Sequence, residues 1–382
     1  MAVILDYIML PNQQHLSTPA QIRDVLHSSL GKLGSFEECA LLDYPQYPNI
    51  GDHFIWLATV FYLSDVLKTK INYTASLNDF SEESMEKQVG KAPIILQGGG
   101  NLGDLWSSHQ EFREYIIAKY RDRPIIIMPQ CIHFTESENL KKAADIFNHH
   151  PSLTIFTRDN YSDAIARKYF TNCQIIKAPD MVFHLVDMPL PDFKIKAKGS
   201  ILYLCREDSE LKQELSPNFI GIPNLLIQDW VAFNWIYRGV GKFGELKNWY
   251  WRIPGTVKLA REGWQRGLAN PPEWISRQKW ERNHPYAEHL ETIYNPSMQR
   301  FSWNMIHAGI FQLLQHDLVI TNRLHGHILC SILGIPHIFL PNAYHKNQSF
   351  YNTWSYQLPN CKFVQDAQQI QDNLQDMLAK SC

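Results

Sequence analysis

Short apolar runs alternate with amphipathic segments along most of the chain, and each run ends in glycine or polar residues. The runs at 39–44, 93–97 and 153–157 have the length of buried strands, and the segments after them have the period of helices. Strands that alternate with helices predict a parallel, doubly wound sheet. A Pro- and Lys-rich stretch at 188–199 has the composition of a linker, and the alternation resumes at 201–205. The pattern therefore predicts two α/β units.

The clearest unit is LVITNRLHGHILCSILGIPHIFLP at 318–341. An apolar run at 318–321 predicts a strand, and an apolar segment at 327–333, stopped by the Gly that follows it, predicts a short helix. Ligands of open α/β sheets bind beyond the carboxyl ends of the strands, and helix N-termini favour anions. Arg323 and His325 occupy that position, so we predict that they contact an anion.

The length of 382 residues also favours two domains, because single cores rarely grow beyond about 250–300 residues. We place a Rossmann-like domain at 1–190, a second one at 198–350, and an aromatic segment with a final helix at 351–382. An insertion rich in Trp and basic residues interrupts the second domain at about 210–300. Its Trp side chains would pack a small core, stack on a sugar or meet lipid headgroups.

Composition narrows the classes of function. Lys and Arg number 36 against 38 Asp and Glu, and this balance gives no reason to expect a nucleic acid partner. The seven cysteines contain no C-x-x-C pair, which favours reduced thiols over a disulfide framework or a zinc ribbon. We find no signal peptide and no apolar run near the roughly 20 residues of a membrane span, so we expect a soluble, cytoplasmic protein.

A series of short motifs recurs at predicted strand ends. The motifs are Asn49-Ile50-Gly51-Asp52, GGGNLGD at 98–104, Pro129-Gln130, Thr157-Arg158-Asp159, Ala178-Pro179-Asp180, Arg323-Leu324-His325-Gly326, Gly334-Ile335-Pro336 and Lys346. In this order the chain resembles the polysaccharide pyruvyl transferase family. The resemblance covers roughly 40–205 and 300–350, and leaves 1–38 and 210–300 unexplained.

The resemblance implies two Rossmann-like domains similar to the GT-B glycosyltransferase fold, with the active site in the cleft between them. The donor would be phosphoenolpyruvate. The acceptor would be a sugar of a surface polysaccharide or of its lipid-linked precursor, which would place the protein at the inner face of the membrane. The product would be a pyruvate ketal with release of phosphate, and the chemistry requires no metal and no cofactor.

The donor must be held by its carboxylate and phosphate, and guanidinium groups match both anions bidentately. Arg158 and Arg323 each follow a predicted strand, one in each domain, and could close on the donor from both sides. The alternative for Arg158 is a structural role, in which it pairs with the neighbouring Asp159 or with a helix end. Further candidate donor-binding residues are Gly326, Lys346 and Arg206.

The enol carbon must also be protonated, and His325 is our candidate general acid because histidine exchanges protons near neutral pH. A zinc site with His327 is disfavoured, since residues two apart on a helix do not face one another. Asp52 would be the base for the sugar hydroxyl, or it would cap its own helix.

The glycines of the GGGNLGD motif predict a strand-to-helix turn that lets backbone approach a ligand closely. We assign Gly99, Gly100 and Asn101 to the acceptor.

Two other functions fit the same pattern. A glycosyltransferase that uses a nucleotide sugar would hold a pyrophosphate at the helix N-terminus and usually places an acidic residue for the ribose. No Glu follows the RLHG element within its helix, which weakens this alternative. A sugar-binding protein without catalysis could retain the fold, although it would not need Arg158, Arg323 and His325.

The Trp-rich insertion could also make peripheral contact with a membrane.

Overall fold

The computed structural model describes residues 15–191, 199–206, 208, 210–216, 222, 225–230 and 270–379. Much of the insertion at 210–300 and most of the linker at 188–199 lie outside these residues. No helix within the described ranges is long and apolar enough to cross a bilayer. The structure contains two parallel sheets, which confirms a Rossmann-like α/β fold.

The first sheet has seven strands in the order β2-β1-β3-β5-β6-β7, with β4 beside β5. Its strands are β1 (Glu38–Leu42), β2 (Lys70–Ala75), β3 (Ile94–Leu96), β4 (Gly99–Gly103), β5 (Ile125–His133), β6 (Leu153–Thr157) and β7 (Gln174–Lys177). The helices of this part are α1 (Pro19–Leu30), α2 (Ile50–Phe61), α3 (Glu82–Val89), α4 (Ser107–Lys119), α5 (Ser137–Asn148) and α6 (Asn160–Tyr169).

The second sheet has five strands in the order β12-β11-β10-β8-β9. Its strands are β8 (Ile201–Leu204), β9 (Leu226–Gln228), β10 (Leu318–Thr321), β11 (His337–Phe339) and β12 (Cys361–Phe363). The described helices of this part are α7 (Pro271–Asn283), α8 (Pro296–Leu314), α9 (Leu324–Ile332), α10 (Lys346–Phe350) and α11 (Ala367–Ala379).

Both sheets reverse their strand order at one point, between β1 and β3 in the first and between β8 and β10 in the second. Such a reversal leaves a crevice outside the carboxyl ends of the two central strands, because the chain leaves them in opposite directions. Every pairing within either sheet is parallel, so the carboxyl ends of each sheet share one edge. The fold therefore offers two crevices.

The two sheets share a hydrophobic core. Side chains along a strand alternate between faces, and in β1 Leu41 packs into the shared cluster whereas Leu42 packs against the opposite face. In β8, Leu204 joins the same shared cluster. Helices α2 and α8 contribute the aromatic centre of this cluster, including Trp56 and Trp303. The common core brings the switch-point edges of the two sheets together.

Several predicted elements differ from the structure. The glycines at 98–100 do not lead directly into a helix, because Gly99–Gly103 forms the short strand β4 beside β5. Asp52 does not cap α2: the side chain of Asn49 accepts from the amide of Gly51 at 3.1 Å, and Asp52 lies in the first turn. The strand β9 lies within the insertion at about 210–300, for which the sequence indicates helices and loops but no strand signal.

Candidate active site

A cavity of about 400 Å³ lies where the two switch points face each other. Residues that follow β1, β3 and β6 line it from the first sheet, and residues that follow β8 and β10 line it from the second. The lining residues are Tyr47, Pro48, Asn49, Asp52, Gly100, Asn101, Trp106, His109, Arg158, Arg206, Asp208, Glu210, Trp230, Arg323, Leu324, His325 and Lys346. The cavity thus contains eight of the ten predicted site residues. Gly99 and Gly326 are not among the lining residues.

Arg158 follows β6 and is 1% exposed. Its Nη1 donates to Oδ2 of Asp180 at 2.5 Å, and its Nε donates to Sγ of Cys131 at 3.0 Å. Asp159 is not its partner, because that carboxylate caps α6 by accepting from the amide of Ser162. The remaining nitrogen, Nη2, faces Gly100, where a Cβ would lie only 3.2 Å away. A side chain at that glycine would therefore close the space in front of the guanidinium.

Arg323 is held by an acidic side chain that the sequence did not suggest. Its Nε and Nη2 both donate to the carboxylate of Asp229, just beyond β9. This is the fork-to-fork geometry in which a guanidinium binds a carboxylate. Arg323 is nevertheless 9% exposed and lines the cavity. An anion of the same shape could contact the guanidinium there.

Arg206 and Lys346 converge on a buried carboxylate. Arg206 donates to Glu210 from Nη1 and Nη2 at 2.9 and 2.8 Å, and to Asp208 from Nε at 2.8 Å. Lys346 also donates to Glu210. Burial alone would raise the pKa of Glu210, but the charges of Lys346 and Arg206 outweigh it and lower that pKa to about 2. Glu210 is therefore ionised at neutral pH and holds both cations.

His325 contacts the first sheet directly. A Cβ placed on Gly51 would lie 2.3 Å from Nδ1 of His325, so the ring occupies the space that any other residue would fill. Its Nε2 is buried without an aligned hydrogen bond, 3.4 Å from Oδ2 of Asp180, within the range of an ion pair. Burial acts to raise the pKa of Asp180, but His325 and Arg158 outweigh it and hold that pKa below its ordinary value. Asp180 thus links His325 to Arg158.

The wall of the cavity that the first sheet forms contains polar groups at the ends of β1 and β3. Oδ2 of Asp52 accepts from Nδ2 of Asn49 at 2.8 Å, and its backbone oxygen accepts from Gln97. Asn101 faces the cavity, while its Oδ1 accepts from Nη2 of Arg113 at 2.6 Å. Gly99 has a φ of 133°, a backbone conformation that residues with a side chain rarely adopt, and a Cβ there would lie at ordinary contact distance, 3.6 Å, from Oδ1 of Asp52.

Two residues of this wall were missed by sequence reasoning. Asp43, immediately after β1, has a φ of 70°, and its carboxylate accepts from Nη2 of Arg113 at 2.5 Å and from Nδ1 of His109 at 2.7 Å. A non-glycine residue with positive φ is strained, and such strain is found often at functional sites. His109 lines the cavity. Asp43 directly follows an apolar strand, as Arg323 does, so a search for polar residues at strand ends would have found it.

Gly326 lies where α9 packs on the second sheet and does not line the cavity. A Cβ there would lie 2.6 Å from Oγ1 of Thr321 and 2.8 Å from a methyl carbon of Leu204, so glycine lets α9 pack closely on β8 and β10. His133 stacks on Tyr344 with ring centres 4.4 Å apart and is not among the residues that line the cavity.

The described tryptophans of the insertion lie in three different environments. Trp230 lines the cavity, and so does Trp106 of the first sheet, which is 40% exposed. Trp280 instead stacks on Trp303 at 4.2 Å and packs into the shared core. Packing thus accounts for some of these side chains. Trp274 is 38% exposed, and the tryptophans of the predicted insertion at 231–269 lie outside the described residues.

Comparison with known proteins gives consistent matches. The profile of the family described as polysaccharide pyruvyl transferase matches residues 49–278 and 281–344. The candidate pyruvyl transferase EpsO of Bacillus subtilis is 28% identical over 91% of this chain and 94% of its own length. Pyruvyl transferase 1 of Schizosaccharomyces pombe is 26% identical over 83% of this chain and 70% of its own length.

A crystal structure of a functionally uncharacterised Klebsiella pneumoniae protein is similar to this one with a TM-score of 0.53. It is 21% identical and the match covers 88% of this chain and 95% of that one. At this level of identity the likeness concerns the fold.

We predict that Glu210→Gln lowers the free energy of unfolding at pH 7 by about 3 kcal/mol, because it removes a buried countercharge from Arg206 and Lys346. The folded-state pKa of Glu210 is depressed, so its stabilisation is complete above an unfolded pKa of about 4.3 and is lost as pH falls towards 2. Urea unfolding at pH 7 and pH 3 should therefore show a smaller difference between wild type and variant at pH 3.

Glu214→Gln is the matched control, because that carboxylate lies on the same segment with a side chain 78% exposed. It should change the unfolding free energy by no more than about 0.5 kcal/mol. An equal loss in both variants, or a Glu210→Gln difference independent of pH, would contradict the assignment.

Proposed function

The chain belongs to the polysaccharide pyruvyl transferase family, and on that premise we propose that it transfers pyruvate from phosphoenolpyruvate to a sugar as a ketal. The acceptor would be a glycan of a surface polysaccharide or its lipid-linked precursor. We also propose that the two sheets form the halves of a GT-B-like arrangement, with the cavity between them as the reaction site.

The observation that carries the proposal is the convergence of Arg158, Arg206, Arg323 and Lys346 around one cavity that also contains His325. Phosphoenolpyruvate carries two anionic groups, a phosphate and a carboxylate, next to a carbon that must be protonated. Arginines bind both kinds of anion bidentately, and lysine binds phosphate as a point charge. Two arginines from opposite sheets can therefore hold opposite ends of the donor.

The existing ion pairs define how the donor would bind. Asp229 already occupies the fork of Arg323, and Glu210 occupies Lys346 and part of Arg206. The donor would displace Asp229 or share the guanidinium with it, because Nη1 of Arg323 donates to no residue in the described part of the chain. In Arg158, the nitrogen that remains available to the donor is Nη2, beside Gly100. We assign the carboxylate of the donor to Arg158 and its phosphate to Arg323 and Lys346.

His325 would supply the proton. Asp180, 3.4 Å from Nε2, stabilises the protonated imidazolium and orients the ring, as a carboxylate does for a general acid. Transfer of that proton to the methylene carbon of the donor converts it to a methyl group and leaves a cation at the adjacent carbon. A sugar oxygen then bonds to this carbon, a second sugar oxygen replaces the phosphate, and the phosphate leaves with a proton. No resident metal or cofactor takes part in this sequence.

The wall formed by Asp52, Asn101 and His109 would receive the sugar, with Trp106 exposed for stacking against it. The first hydroxyl must lose its proton to a base as it attacks. His109 is suited to this task, because Asp43 accepts from its Nδ1 at 2.7 Å and so leaves the Nε2 lone pair free. Asp52 remains the second candidate base.

Labelled phosphoenolpyruvate incubated with the protein and a panel of free and lipid-linked glycans should yield pyruvylated glycan and an equal amount of phosphate. His325→Gln keeps a similar volume against Gly51 but cannot act as an acid, so turnover should fall by about 10²–10⁴-fold at unchanged melting temperature.

His149→Gln, at a histidine whose side chain is 68% exposed, is the control and should behave as wild type. Transfer from a nucleotide sugar without phosphoenolpyruvate would reject the proposed reaction. Full turnover by His325→Gln would reject the role of that residue alone.

The two candidate bases can be separated by His109→Gln and Asp52→Asn. If His109 accepts the hydroxyl proton, His109→Gln should lower kcat by about 10²–10⁴-fold while the KM for phosphoenolpyruvate is unchanged. Asp52→Asn should then mainly raise the KM for the acceptor, because it replaces the carboxylate that accepts from Asn49 with an amide. The reverse pattern in steady-state kinetics would assign the base to Asp52.

A further inference from the structure

A second cluster of polar side chains lies away from the cavity, within the core beside α9. It contains His327 on α9, His337 at the start of β11 and Cys361 at the start of β12. One ligand atom from each lies within 4.8 Å of the other two. Both histidines are fully buried, and Cys361 is 8% exposed. None of the three lines the cavity, so the reaction proposed above does not use them.

In each histidine, the ring nitrogen on the far side from the other members of the cluster already has a hydrogen-bond partner. Nδ1 of His337 donates to the carbonyl of Ile335 at 2.9 Å, which leaves its Nε2 as an unprotonated acceptor. Nε2 of His327 lies 2.8 Å from Oγ of Ser355, which can accept its proton. Metal-ligating histidines characteristically donate their second ring nitrogen to a carbonyl, hydroxyl or carboxylate. In that tautomer, Nδ1 of His327 and Nε2 of His337 present lone pairs to each other and to Cys361.

Two distances show how close this cluster is to a coordination geometry. Sγ of Cys361 lies 3.5 Å from Nδ1 of His327, and the two histidine nitrogens are 2.7 Å apart. Tetrahedral coordination with Zn–N near 2.05 Å and Zn–S near 2.3 Å requires about 3.6 Å and 3.4 Å. The sulfur thus already lies at the required distance from His327, and the two rings must separate by about 0.7 Å. Without a cation, a single proton occupies the contact between the rings.

The surroundings also suit a metal ion with a soft ligand. The ring of His327 stacks on Phe339 at 4.2 Å and 7°, and Phe350 and Tyr351 pack edgewise against it. This apolar shell excludes water, and thiolate with imidazole ligands selects Zn²⁺ or Cu⁺ over hard cations such as Mg²⁺. Cys330 lies one turn beyond His327 on α9 and is also buried.

We propose that His327, His337 and Cys361 form a buried structural site for a d¹⁰ metal ion, Zn²⁺ or Cu⁺. Such an ion would bind α9, β11 and β12 to one another directly beneath the first turn of α9. Since Arg323 and His325 lie in or beside that turn, the ion would fix the segment that carries them without touching substrate. Binding deprotonates Cys361 and displaces the proton between the two rings.

The full chain, purified under reducing conditions and stripped with a chelator, should bind one equivalent of Co²⁺ as a Zn²⁺ probe. A thiolate-to-cobalt charge-transfer band would report sulfur coordination. Competition by Zn²⁺, and separately by Cu⁺ with a chromophoric Cu⁺ chelator, identifies the preferred ion. Cys361→Ser and His337→Gln should each weaken binding at least about tenfold, and Ser355→Ala should weaken it by a smaller factor.

Cys173→Ser is the matched control, because it removes a half-buried thiol at a distance from the cluster, and it should bind as wild type. If Cys361→Ser fails to fold, the wild-type band and a rise in melting temperature on adding one equivalent of Zn²⁺ decide the question. Absence of stoichiometric binding by wild type, or equal affinity in Cys361→Ser, would show a hydrogen-bonded histidine pair instead of a metal site.

Discussion

The close approach of His325 to Gly51 is the contact on which the arrangement of the cavity depends. Each residue lies in the first turn of a helix at the switch point of its own sheet. A side chain at Gly51 would overlap the imidazole, so only glycine lets the two helix N-termini meet. Gly309 of α8 permits a similar approach by Ile50, to which a Cβ would come within 2.7 Å. Core packing between the sheets therefore sets the position of the candidate acid.

Electrostatics imposes a second constraint on this region. Four cations line the cavity, and each has a carboxylate partner. Buried charges require such partners, because an unpaired ion loses its hydration without replacement. The same pairing would make the cavity selective, since an incoming anion would have to match the contacts of the carboxylate that it displaces. A ligand with two anionic groups would engage both sheets at once, which a single weak anion could not do.

Sequence patterns were sufficient for elements with strong local signals. The strands Leu153–Thr157 and Leu318–Thr321 have the predicted bounds, because each is a buried apolar run that ends in polar residues. β4 escaped prediction because consecutive glycines have weak strand propensity, and its pairing with β5 depends on tertiary contact. Gly103 tolerates this contact, since a Cβ there would overlap the carbonyl of His133.

The partners of Arg323 and Lys346 could not be predicted, because both partners are distant in sequence. Asp229 is 94 residues from Arg323, and Glu210 is 136 residues from Lys346. No local pattern distinguishes these acids from solvated ones.

Asp180 shows how the two halves of the site act as one. It follows β7 of the first sheet, yet it contacts both Arg158 of that sheet and His325 of the second. A carboxylate shared by two side chains couples their positions: a ligand that draws Arg158 away from Asp180 would leave that carboxylate to His325 alone. A ligand bound at Arg158 would therefore change the surroundings of His325 as well. Such coupling follows from one buried carboxylate and its two neighbours, without movement of either sheet.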